Sequence, residues 1–492
     1  MGLFGPYPKQ GAERPGRYLY RWAPALLALL MGLWGIRREN SMWRDESVTY
    51  QVSHRTLPEI WNLLGNADAV HGLYYFFMHA LFAVGGGGLP ALRLPSVLAT
   101  AAAAAVVTAT GTRLAGPRAG LLGGVAFALI PAVQMYAQEG RSYAMVCALV
   151  ALATHLFVVA VENPTRRRWA AYALTFTLAG WLHELALLAL ASHGLTLCIP
   201  GPGRRMLRSW AWAAALPVVA VAPAALLSAR QSAQVSWIGW PRPGEWLMIA
   251  FAVLLGVACA AYGTRRGGPE RHPAALRLVR LALPLLILPT AALLLVSLHR
   301  PMYVDRYVLY SQFALALLIG LGADRLWDAA ARAARPRPVP FVAAAVGLVL
   351  ALLPVTLRMR TPDSRKDDVT AIAAHVRDMG SAGAGVLFMP SRRREWALSY
   401  PDDFRGLTDL ALARSPVADN SLEGSEASAA TIRERMRAFG RIVALSDPPG
   451  QPEDVFPGEA VKRDVLREDF VVCRRARAKG GLVTLYAWPG RC

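Results

Sequence analysis

The chain is 492 residues long, and 54% of its residues are hydrophobic while 17% are charged. The apolar residues are gathered in blocks, which excludes an ordinary soluble globular protein and predicts a polytopic membrane protein. The formal net charge of +20 comes almost wholly from arginines. Because these arginines lie in short clusters between the apolar runs, the charge does not indicate a nucleic-acid-binding face.

The apolar runs predict transmembrane helices. A bilayer core about 30 Å thick needs roughly 20 apolar residues of helix to cross it. Eleven segments meet this requirement to within a few residues: 18–36, 94–112, 119–136, 143–161, 168–183, 185–200, 209–228, 246–263, 281–298, 307–323 and 339–357. Basic residues precede the first run, and Arg37, Arg38 and Glu39 follow it in place of a small-residue cleavage site, which is typical of a retained signal anchor.

The arginine clusters predict the orientation, since cytoplasmic loops are enriched in Lys and Arg. An even number of predicted helices separates each pair of clusters, so all of them are expected in the cytoplasm. The clusters lie before Trp22 and at 112–118, 163–168, 201–208, 264–280 and 325–338.

Two ambiguous segments can be interpreted with the same rule. The run 71–86 is short and aromatic, and counting it as a crossing would put the cluster at 112–118 outside. It is therefore predicted to be an interfacial or re-entrant helix in a long outer loop, 37–93. The segment 169–200 is too long for one helix and has His183 and Glu184 in its middle. It is predicted to form two short helices that turn on the outer side.

The loops opposite the arginine clusters predict the functional face. Ionisable groups near a membrane are costly and usually mark a pathway or a site. Acid and base pairs at helix ends concentrate on this side: Asp45 with Glu46, Asp68 with His71, residues 138–143, His183 with Glu184, and residues 236–246 and 299–307.

After residue 357 the pattern becomes that of a soluble domain. Residues 360–380, with Asp363 and Ser364 as candidate caps, and 431–440 have a helical period, while 385–390, 441–447 and 481–490 are typical of strands. The sequence thus predicts a transmembrane domain at 1–360 and an extracytoplasmic α/β domain at 361–492. Cys473 and Cys492 in the outer domain are compatible with a disulfide or with two free thiols.

Five segments, in order, resemble the bacterial branch of glycosyltransferase family 39. They are WRDES (43–47), DAVHGLYYFFMHALF (68–82), LPALRLPSVLATAAAAAVV (89–107), PAVQMYAQEGRSY (131–143) and RPMYVDRYVLYSQFALAL (300–317). That branch is similar to the protein O-mannosyltransferases and the lipid A aminoarabinose transferases, and the likeness covers about the first two thirds of the chain. It implies an all-α membrane bundle of the GT-C type, a sugar donor carried on a polyprenyl phosphate, and transfer on the outer face.

The resemblance implies a role for the acid pair at the start of the outer loop. Asp45 matches the first acid of the family's Asp-Glu motif and is predicted to be the general base for an acceptor hydroxyl. Glu46 is predicted to orient the loop or the acceptor. The alternative is a solvated acidic pair that caps an interfacial helix.

Two arginines are predicted to bind the donor phosphate, because a guanidinium matches phosphate oxygens and stays charged near lipid. These are Arg141 and Arg306, which precede Tyr143 and Tyr307. Anchoring at the membrane interface is the alternative for both arginine–tyrosine pairs. Asp305 is expected to orient Arg306.

Three further residues complete the predicted site. Glu139 stands where some relatives have a second acid, so it is expected to hold the sugar, assist Asp45 or pair with Arg141. His71 resembles the histidine of the family's His-Pro-Pro-Leu element, although Gly72 replaces the first proline. His183 is either a substrate contact or the partner of a local hydrogen bond with Glu184.

Other residues are expected to support the site. Arg93 matches an arginine that the family keeps and is expected to tie the outer loop to the bundle. Trp237, Trp240 and Trp246 are expected to form an interfacial belt, with a sugar-stacking surface as the alternative. No cofactor is predicted: two acids such as Asp45 and Glu139 can hold a divalent ion, but the family is not uniformly metal-dependent.

The sequence therefore predicts a glycosyltransferase in the cytoplasmic membrane that transfers a hexose, mannose being one candidate, to an unidentified protein, lipid or glycan acceptor. Asp45 and Arg306 are expected to face one outer pocket. A transporter or flippase for polyprenyl lipids or small solutes is the alternative, but its inverted repeats and midplane acids are not recognisable. A membrane scaffold whose outer domain binds a partner is a third interpretation.

Overall fold

The computed structural model describes residues 19–199, 201, 203–231, 237–265, 268–333, 339–380 and 382–492. The basic residues Lys9, Arg14 and Arg17, on which part of the predicted orientation rests, lie outside these ranges. So do a few residues of the clusters at 201–208, 264–280 and 325–338.

Helices make up most of the described chain. They are α1 Leu19–Leu33, α2 Arg44–Ser53, α3 Leu57–Asn66, α4 Gly72–Gly85, α5 Leu89–Ala115, α6 Pro117–Leu129, α7 Pro131–Ala137, α8 Tyr143–Glu162, α9 Arg166–Leu182, α10 Leu188–Cys198, α11 Arg204–Arg230, α12 Pro243–Arg265, α13 Gly268–Ser297, α14 Ser311–Ala333, α15 Val339–Arg358, α16 Val369–Met379, α17 Glu395–Ser399, α18 Ala429–Arg437 and α19 Pro457–Asp469. The strands are β1 Gly385–Met389, β2 Thr408–Asp409, β3 Leu412–Arg414, β4 Ser425–Glu426, β5 Arg441–Ser446, β6 Val471–Ala478 and β7 Gly481–Ala487.

The chain divides into two compact units. One, here called the bundle unit, contains Met1–Trp34 and Arg93–Thr356, and the other, the loop–sheet unit, contains Gly35–Leu92 and Leu357–Cys492. Nearly all of the predicted outer loop thus belongs to the same unit as the C-terminal residues. The predicted domain boundary at residue 360 stays a prediction.

Each of the predicted apolar segments coincides with a helix, and 119–136 is divided between α6 and α7. Among the described residues, five helices are long and apolar enough to cross a membrane: α5, α8, α11, α12 and the Arg271–Ser297 part of α13. The pair α6 and α7 would make a sixth span, but it is bent by 62°. The bend falls at Ile130, whose ψ of 124° is not helical, because proline at the next position disfavours helical geometry there. The count of eleven crossings stays a prediction.

Glycines allow close helix packing in the bundle unit. A Cβ atom on Gly320 of α14 would lie 2.6 Å from the backbone nitrogen of Gly123 of α6, and one on Gly111 of α5 would lie 2.8 Å from the Cα of Gly120. Lipid supplies no hydrophobic driving force between helices, so association depends on close van der Waals packing of small residues. These glycines let the backbones of α5, α6 and α14 approach.

In the loop–sheet unit, the predicted outer loop forms a small helical layer. Val48 and Val52 of α2 pack with Ile60 and Leu63 of α3 and with Tyr75 of α4 in one buried core. The apolar helix α4, predicted as interfacial or re-entrant, is shorter than a membrane span. Its placement at a membrane surface stays a prediction.

The C-terminal part of this unit is a five-stranded sheet in the order β2-β1-β5-β7-β6. Strands β2, β1 and β5 run parallel, while β7 and β6 are antiparallel to their neighbours. Successive residues of a strand face opposite sides, so Val386 of β1 packs in the core with α16 while Leu387 packs in the core with α18 and α19. The predicted α/β domain therefore has helices on both faces of its sheet.

One local feature differs from the sequence prediction, and one alternative that the sequence left open is decided. The cap of α16 is Asp368, whose side chain accepts a hydrogen bond from Ala371 N at 3.1 Å, while Asp363 and Ser364 lie in a separate 3-10 turn. The cap must directly precede the first helical residue, and that residue is Val369. Cys473 and Cys492, for which two states were open, form a disulfide with their Cα atoms 5.3 Å apart.

Candidate active site

The predicted site residues are divided between the two units. Asp45, Glu46 and His71 lie in the loop–sheet unit, and Glu139, Arg141, Tyr143, His183, Arg306 and Tyr307 lie in the bundle unit. The expectation that Asp45 and Arg306 face one outer pocket stays a prediction.

The turn before Asp45 has an unusual backbone. Arg38, Glu39 and Asn40 have φ angles of 45°, 55° and 60°, in the left-handed region that residues other than glycine rarely adopt. Each such residue costs about 1–2 kcal/mol, and such residues cluster at functional sites where the surroundings fix them. The chain therefore enters α2 through a turn whose conformation is imposed from outside the turn.

The two acids of the pair have different surroundings. Glu46 is fully buried, and its Oε2 accepts a hydrogen bond from Arg38 Nη1 at 3.2 Å, in an ion pair whose two side chains are 0% exposed. Asp45 is half-buried, and its backbone carbonyl accepts the Thr49 hydroxyl at 3.2 Å. Glu46 is thus placed to hold the strained turn, whereas the Asp45 carboxylate is the more accessible of the two.

The residue beside Asp45 contacts the C-terminal part of the loop–sheet unit. The Arg44 backbone N–H donates to Asp367 Oδ1 at 2.7 Å, and Arg44 Nε donates to Glu395 Oε1 at 2.5 Å. Burial raises the pKa of Glu395 to about 7, although the adjacent Arg44 opposes this rise. Burial likewise raises the pKa of Asp367 to about 6, against the hydrogen bond from Arg44 N.

Sequence reasoning missed Asp367 and Glu395. They lie 323 and 351 residues from Arg44 along the chain, so no local spacing reveals the contacts. A single buried carboxylate adds nothing to the hydrophobic periodicity of the sequence. Only the contacts with Arg44 in the folded chain identify these two residues.

His71 ends the 3-10 turn Ala69–His71 that precedes α4. Its ring is buried and lies 6.1 Å from the ring of Tyr75, whose hydroxyl donates to Asp68 Oδ2 at 2.5 Å. Asp68 itself has a left-handed φ of 57°, so this turn is also constrained. The role of His71 in substrate binding stays a prediction.

In the bundle unit, Arg306 lies among aromatic rings. Its guanidinium carbon is 5.5 Å from the ring centroids of Tyr143 and Trp237 and 5.9 Å from that of Tyr307. The His183 ring lies 4.8 Å from Tyr307 and 5.8 Å from Tyr143. Although Arg306 is only 7% exposed, the faces of aromatic rings attract its charge.

Glu139 and Arg141 lie in the buried connection between α7 and α8. The Ser96 hydroxyl of α5 donates to the carbonyl of Glu139 at 2.6 Å and approaches that of Arg141 at 3.2 Å. Both Arg141 and Arg306 act electrostatically on His183. Within the bundle unit, Arg141 and Arg306 are therefore both close enough to His183 to interact electrostatically with it.

Gln138 and Tyr136, which the sequence analysis did not select, fix the connection between α7 and α8 through hydrogen bonds. Gln138 Nε2 donates to the carbonyls of Gly32 at 2.8 Å and Trp34 at 2.6 Å, at the end of α1. The Tyr136 hydroxyl donates to both Asp305 oxygens at 2.8 Å. Asp305, expected to orient Arg306, thus orients Tyr136 in this structure. The polar residues around Glu139 in the motif at 131–143 were the available signal.

The remaining predicted residues differ in exposure. Arg93 is fully buried in α5, while Trp240 and Trp246 are exposed. Trp237 is 51% exposed, yet its ring faces Arg306. This contact favours a role at the site for Trp237, and the belt remains the simpler interpretation of the other two tryptophans.

No three His, Cys, Asp or Glu side chains of the described residues are grouped so that they could hold a metal ion. A cavity of about 470 Å³ lies at the carboxyl ends of β1 and β5, lined by Met389, Asp447 and the loop that leads to α19. None of the predicted site residues lines it.

A known protein family and several solved structures are similar to this chain. The family model for dolichyl-phosphate-mannose-protein mannosyltransferases matches residues 72–227. No curated protein sequence matches the chain.

Solved structures resemble the chain over most of its length. ArnT from Cupriavidus metallidurans in the apo state is 13% identical, with a TM-score of 0.59, over 94% of this chain and 97% of ArnT. The same protein bound to undecaprenyl phosphate is 14% identical, with a TM-score of 0.57, over 96% and 98%. The oligosaccharyltransferase AglB from Archaeoglobus fulgidus, with an inhibitory peptide and a dolichol-phosphate, is 11% identical, with a TM-score of 0.50, over 88% and 70%.

These similarities confirm the predicted fold class, a GT-C membrane bundle with a small C-terminal sheet, and the resemblance to the family. The predicted class of enzyme, a glycosyltransferase, is confirmed by the family match together with this fold.

Proposed function

We propose that this membrane glycosyltransferase of the GT-C class transfers a hexose from a polyprenyl-phosphate donor to an acceptor at the outer face of the cytoplasmic membrane. Asp45 is the general base, and Arg141 and Arg306 bind the donor phosphate. Mannose is the first candidate for the sugar, because the matching family is described by its mannose donor.

The observation that carries the proposal is the buried cluster of Arg141 and Arg306 with His183 and two tyrosines. A buried guanidinium loses much of its hydration, which is costly unless anionic or aromatic groups replace the water. Its planar fork of donors fits two phosphate oxygens at once. A lipid-linked phosphate brings such an anion to a helix end, where both arginines lie.

The donor class has a second support. ArnT was crystallised with undecaprenyl phosphate and AglB with a dolichol-phosphate, so GT-C folds accommodate polyprenyl phosphates. The AglB complex also contains a peptide, but the acceptor of this chain is left open as a protein, lipid or glycan hydroxyl.

The chemistry requires one base and one held leaving group. Asp45 takes the proton from the acceptor hydroxyl as its oxygen bonds to the anomeric carbon of the sugar. The bond from that carbon to the phosphate oxygen breaks, and polyprenyl phosphate leaves with the electron pair, its charge stabilised by the arginines. A single displacement of this kind inverts the anomeric configuration.

Two features support an extracytoplasmic site. The arginine clusters between the helices favour a cytoplasmic position for the loops that carry them, and therefore an external position for the opposite loops. The disulfide between Cys473 and Cys492 is of a kind that persists in oxidising compartments, which favours an external loop–sheet unit.

The test is the substitution Asp45→Asn, which keeps the side-chain shape and removes the base. We expect it to abolish transfer from a radiolabelled polyprenyl-phosphate hexose in membrane vesicles, with protein abundance unchanged. Asp402→Asn is the matched control, because Asp402 is an exposed aspartate of the same unit, and it should retain full activity. Full activity of the Asp45→Asn protein would refute the proposal.

A further inference from the structure

We propose that Glu395, in the C-terminal part of the loop–sheet unit, is a positioning residue for Asp45 and acts on it through Arg44. The inference rests on the proposed function, in which Asp45 is the base. It assigns a catalytic support role to a segment that lies beyond residues 72–227, which match the family model.

Arg44 is held at two points by carboxylates. Its backbone N–H donates to Asp367 Oδ1 at 2.7 Å and its Nε donates to Glu395 Oε1 at 2.5 Å. Arg44 is the first residue of α2 and is bonded directly to Asp45. Fixing both its backbone and its side chain therefore fixes the direction in which the next residue leaves the helix end.

The contact with Asp367 replaces a missing local cap. The N-cap residue of α2 is Trp43, which makes no side-chain capping hydrogen bond. The first amides of a helix have no partner within the helix, and a carboxylate near them is favourable to the helix dipole. Asp367 supplies that carboxylate from a distant part of the chain.

Neutral contacts hold the flanks of the same segment. The Met42 N–H donates to the Thr370 hydroxyl at 2.9 Å, and the Ser47 and Ser399 hydroxyls lie 2.5 Å apart. These bonds attach the start of α2 to α16 and α17 without any charge. The ion pair between Arg44 and Glu395 is therefore not needed merely to keep the two segments together.

Burial of the Glu395 carboxylate costs desolvation free energy. The residue is 1% exposed, and its Oε2 atom has no hydrogen-bond partner among the described residues. Buried ion pairs often contribute little net stability, because desolvation offsets their attraction. The pair is better explained by the geometry it imposes on Arg44 than by stability.

The same burial makes the contact sensitive to pH. Desolvation raises the pKa of Glu395 to about 7; Arg44 opposes the rise, while the nearby Glu423 and Asp367 add to it. Protonation of Glu395 below that pH removes the charge that holds Arg44. Transfer should therefore decline on the acid side with an apparent pKa near 7 that belongs to Glu395 and not to the base.

The test compares Glu395→Gln with the wild-type protein in the transfer assay, using a synthetic polyprenyl-phosphate mannose as the probe donor. We expect kcat to fall roughly ten- to a hundredfold, as for a base displaced by about 1 Å, while the KM for donor changes less than twofold. The acid-side decline near pH 7 should disappear. In the Arg44→Gln background, Glu395→Gln should have no further effect.

Glu459→Gln is the matched control. Glu459 is also a buried glutamate of the C-terminal part, and its Oε1 accepts from Lys462 Nζ at 2.9 Å and from Ser391 N at 3.0 Å. It should leave kcat per folded molecule and the pH profile unchanged. If the Glu395→Gln protein fails to accumulate, Arg44→Gln replaces it, since that side chain is 38% exposed, and the same loss of kcat is expected.

The outcomes separate the two proposals. Full transfer by Asp45→Asn would end the proposed function itself. An inactive Asp45→Asn protein beside a Glu395→Gln or Arg44→Gln protein with wild-type kcat and pH profile would overturn only the positioning role. Additive effects of Arg44→Gln and Glu395→Gln would also overturn it.

Discussion

Arg306 illustrates what a single side chain contributes to the bundle unit. Its guanidinium faces the rings of Tyr143, Trp237 and Tyr307. A planar guanidinium stacks on aromatic rings and offers a fork of donors to a phosphate, whereas a lysine ammonium is a compact, strongly hydrated charge. The geometry therefore requires arginine in particular and not merely a positive charge.

We expect Arg306→Lys to lower the rate of transfer at subsaturating donor by about tenfold or more, chiefly through a higher KM for the polyprenyl-phosphate donor. Arg242→Lys is the control, because Arg242 is an exposed arginine of the same unit whose ion pair is with Glu245, three residues further along the chain. Titration of the donor in vesicles measures both constants. An unchanged KM in the Arg306→Lys protein would argue against phosphate binding by this residue.

At the scale of elements, the contact between α6 and α14 depends on glycines. A Cβ on Gly320 would lie 2.6 Å from the nitrogen and 2.7 Å from the Cα of Gly123 and would also approach the Ala119 carbonyl oxygen too closely. Backbone atoms of a neighbouring helix cannot move aside as a flexible side chain can. The two helices would have to separate to admit one methyl group.

Gly320→Ala should accordingly lower the melting temperature of the detergent-solubilised protein by several degrees, since overpacking typically costs about 1–3 kcal/mol. Gly347→Ala in α15 is the matched control, because among the described residues no atom beyond its own helix backbone and its two chain neighbours lies within 4 Å of the position its Cβ would take. This variant should leave the melting temperature unchanged or slightly higher. Equal melting temperatures for the two variants would contradict the packing argument.

At the scale of the whole molecule, the predicted outer loop and the C-terminal sheet share one compact unit. Deletion of 361–492 would remove the partners of Arg44 and Ser47 together with the sheet. Loss of transfer in that deletion would therefore fit both the enzyme and the scaffold interpretations. The substitution of Asp45 remains the test that separates them.

The stability of the loop–sheet unit should depend on pH. The pKa values of Glu395 and Asp367 are raised to about 7 and about 6 by burial, so the folded protein binds protons more tightly than the unfolded chain. Their contribution to stability is then complete below the ordinary pKa values and is lost as the pH rises through about 6 to 7. The protonation that stabilises the fold is the same one that weakens the contact of Glu395 with Arg44.

We expect the melting temperature of the purified protein to fall between pH 5 and pH 8, and the fall to be smaller in the Asp367→Asn, Glu395→Gln double variant. Differential scanning fluorimetry at several pH values measures this. The Glu459→Gln protein should keep the wild-type dependence. An identical pH dependence in the double variant would show that these two carboxyls do not titrate as described.

The sequence by itself determined the helices of the bundle unit and the family resemblance. An apolar run of about 20 residues is a local property, and each predicted run coincides with helical structure. The bend that divides 119–136 between α6 and α7 was not predicted. The motifs at 131–143 and 300–317 stand beside such runs, which is why Arg141 and Arg306 could be selected before any contact was known.

Only the tertiary structure decided which partners the charged residues have. No local signature in the sequence indicates the ion pair of Glu46 with Arg38, the contact of Arg44 with Glu395 or the attachment of α2 to α16 and α17. Such pairs form between residues that are close only in the folded chain. The sequence around a carboxylate does not show whether that group is hydrated or paired with a buried guanidinium. The hydrophobic pattern that predicts a helix lies within one short stretch of the sequence. The pairing of buried charges, by contrast, depends on the packing of the whole unit.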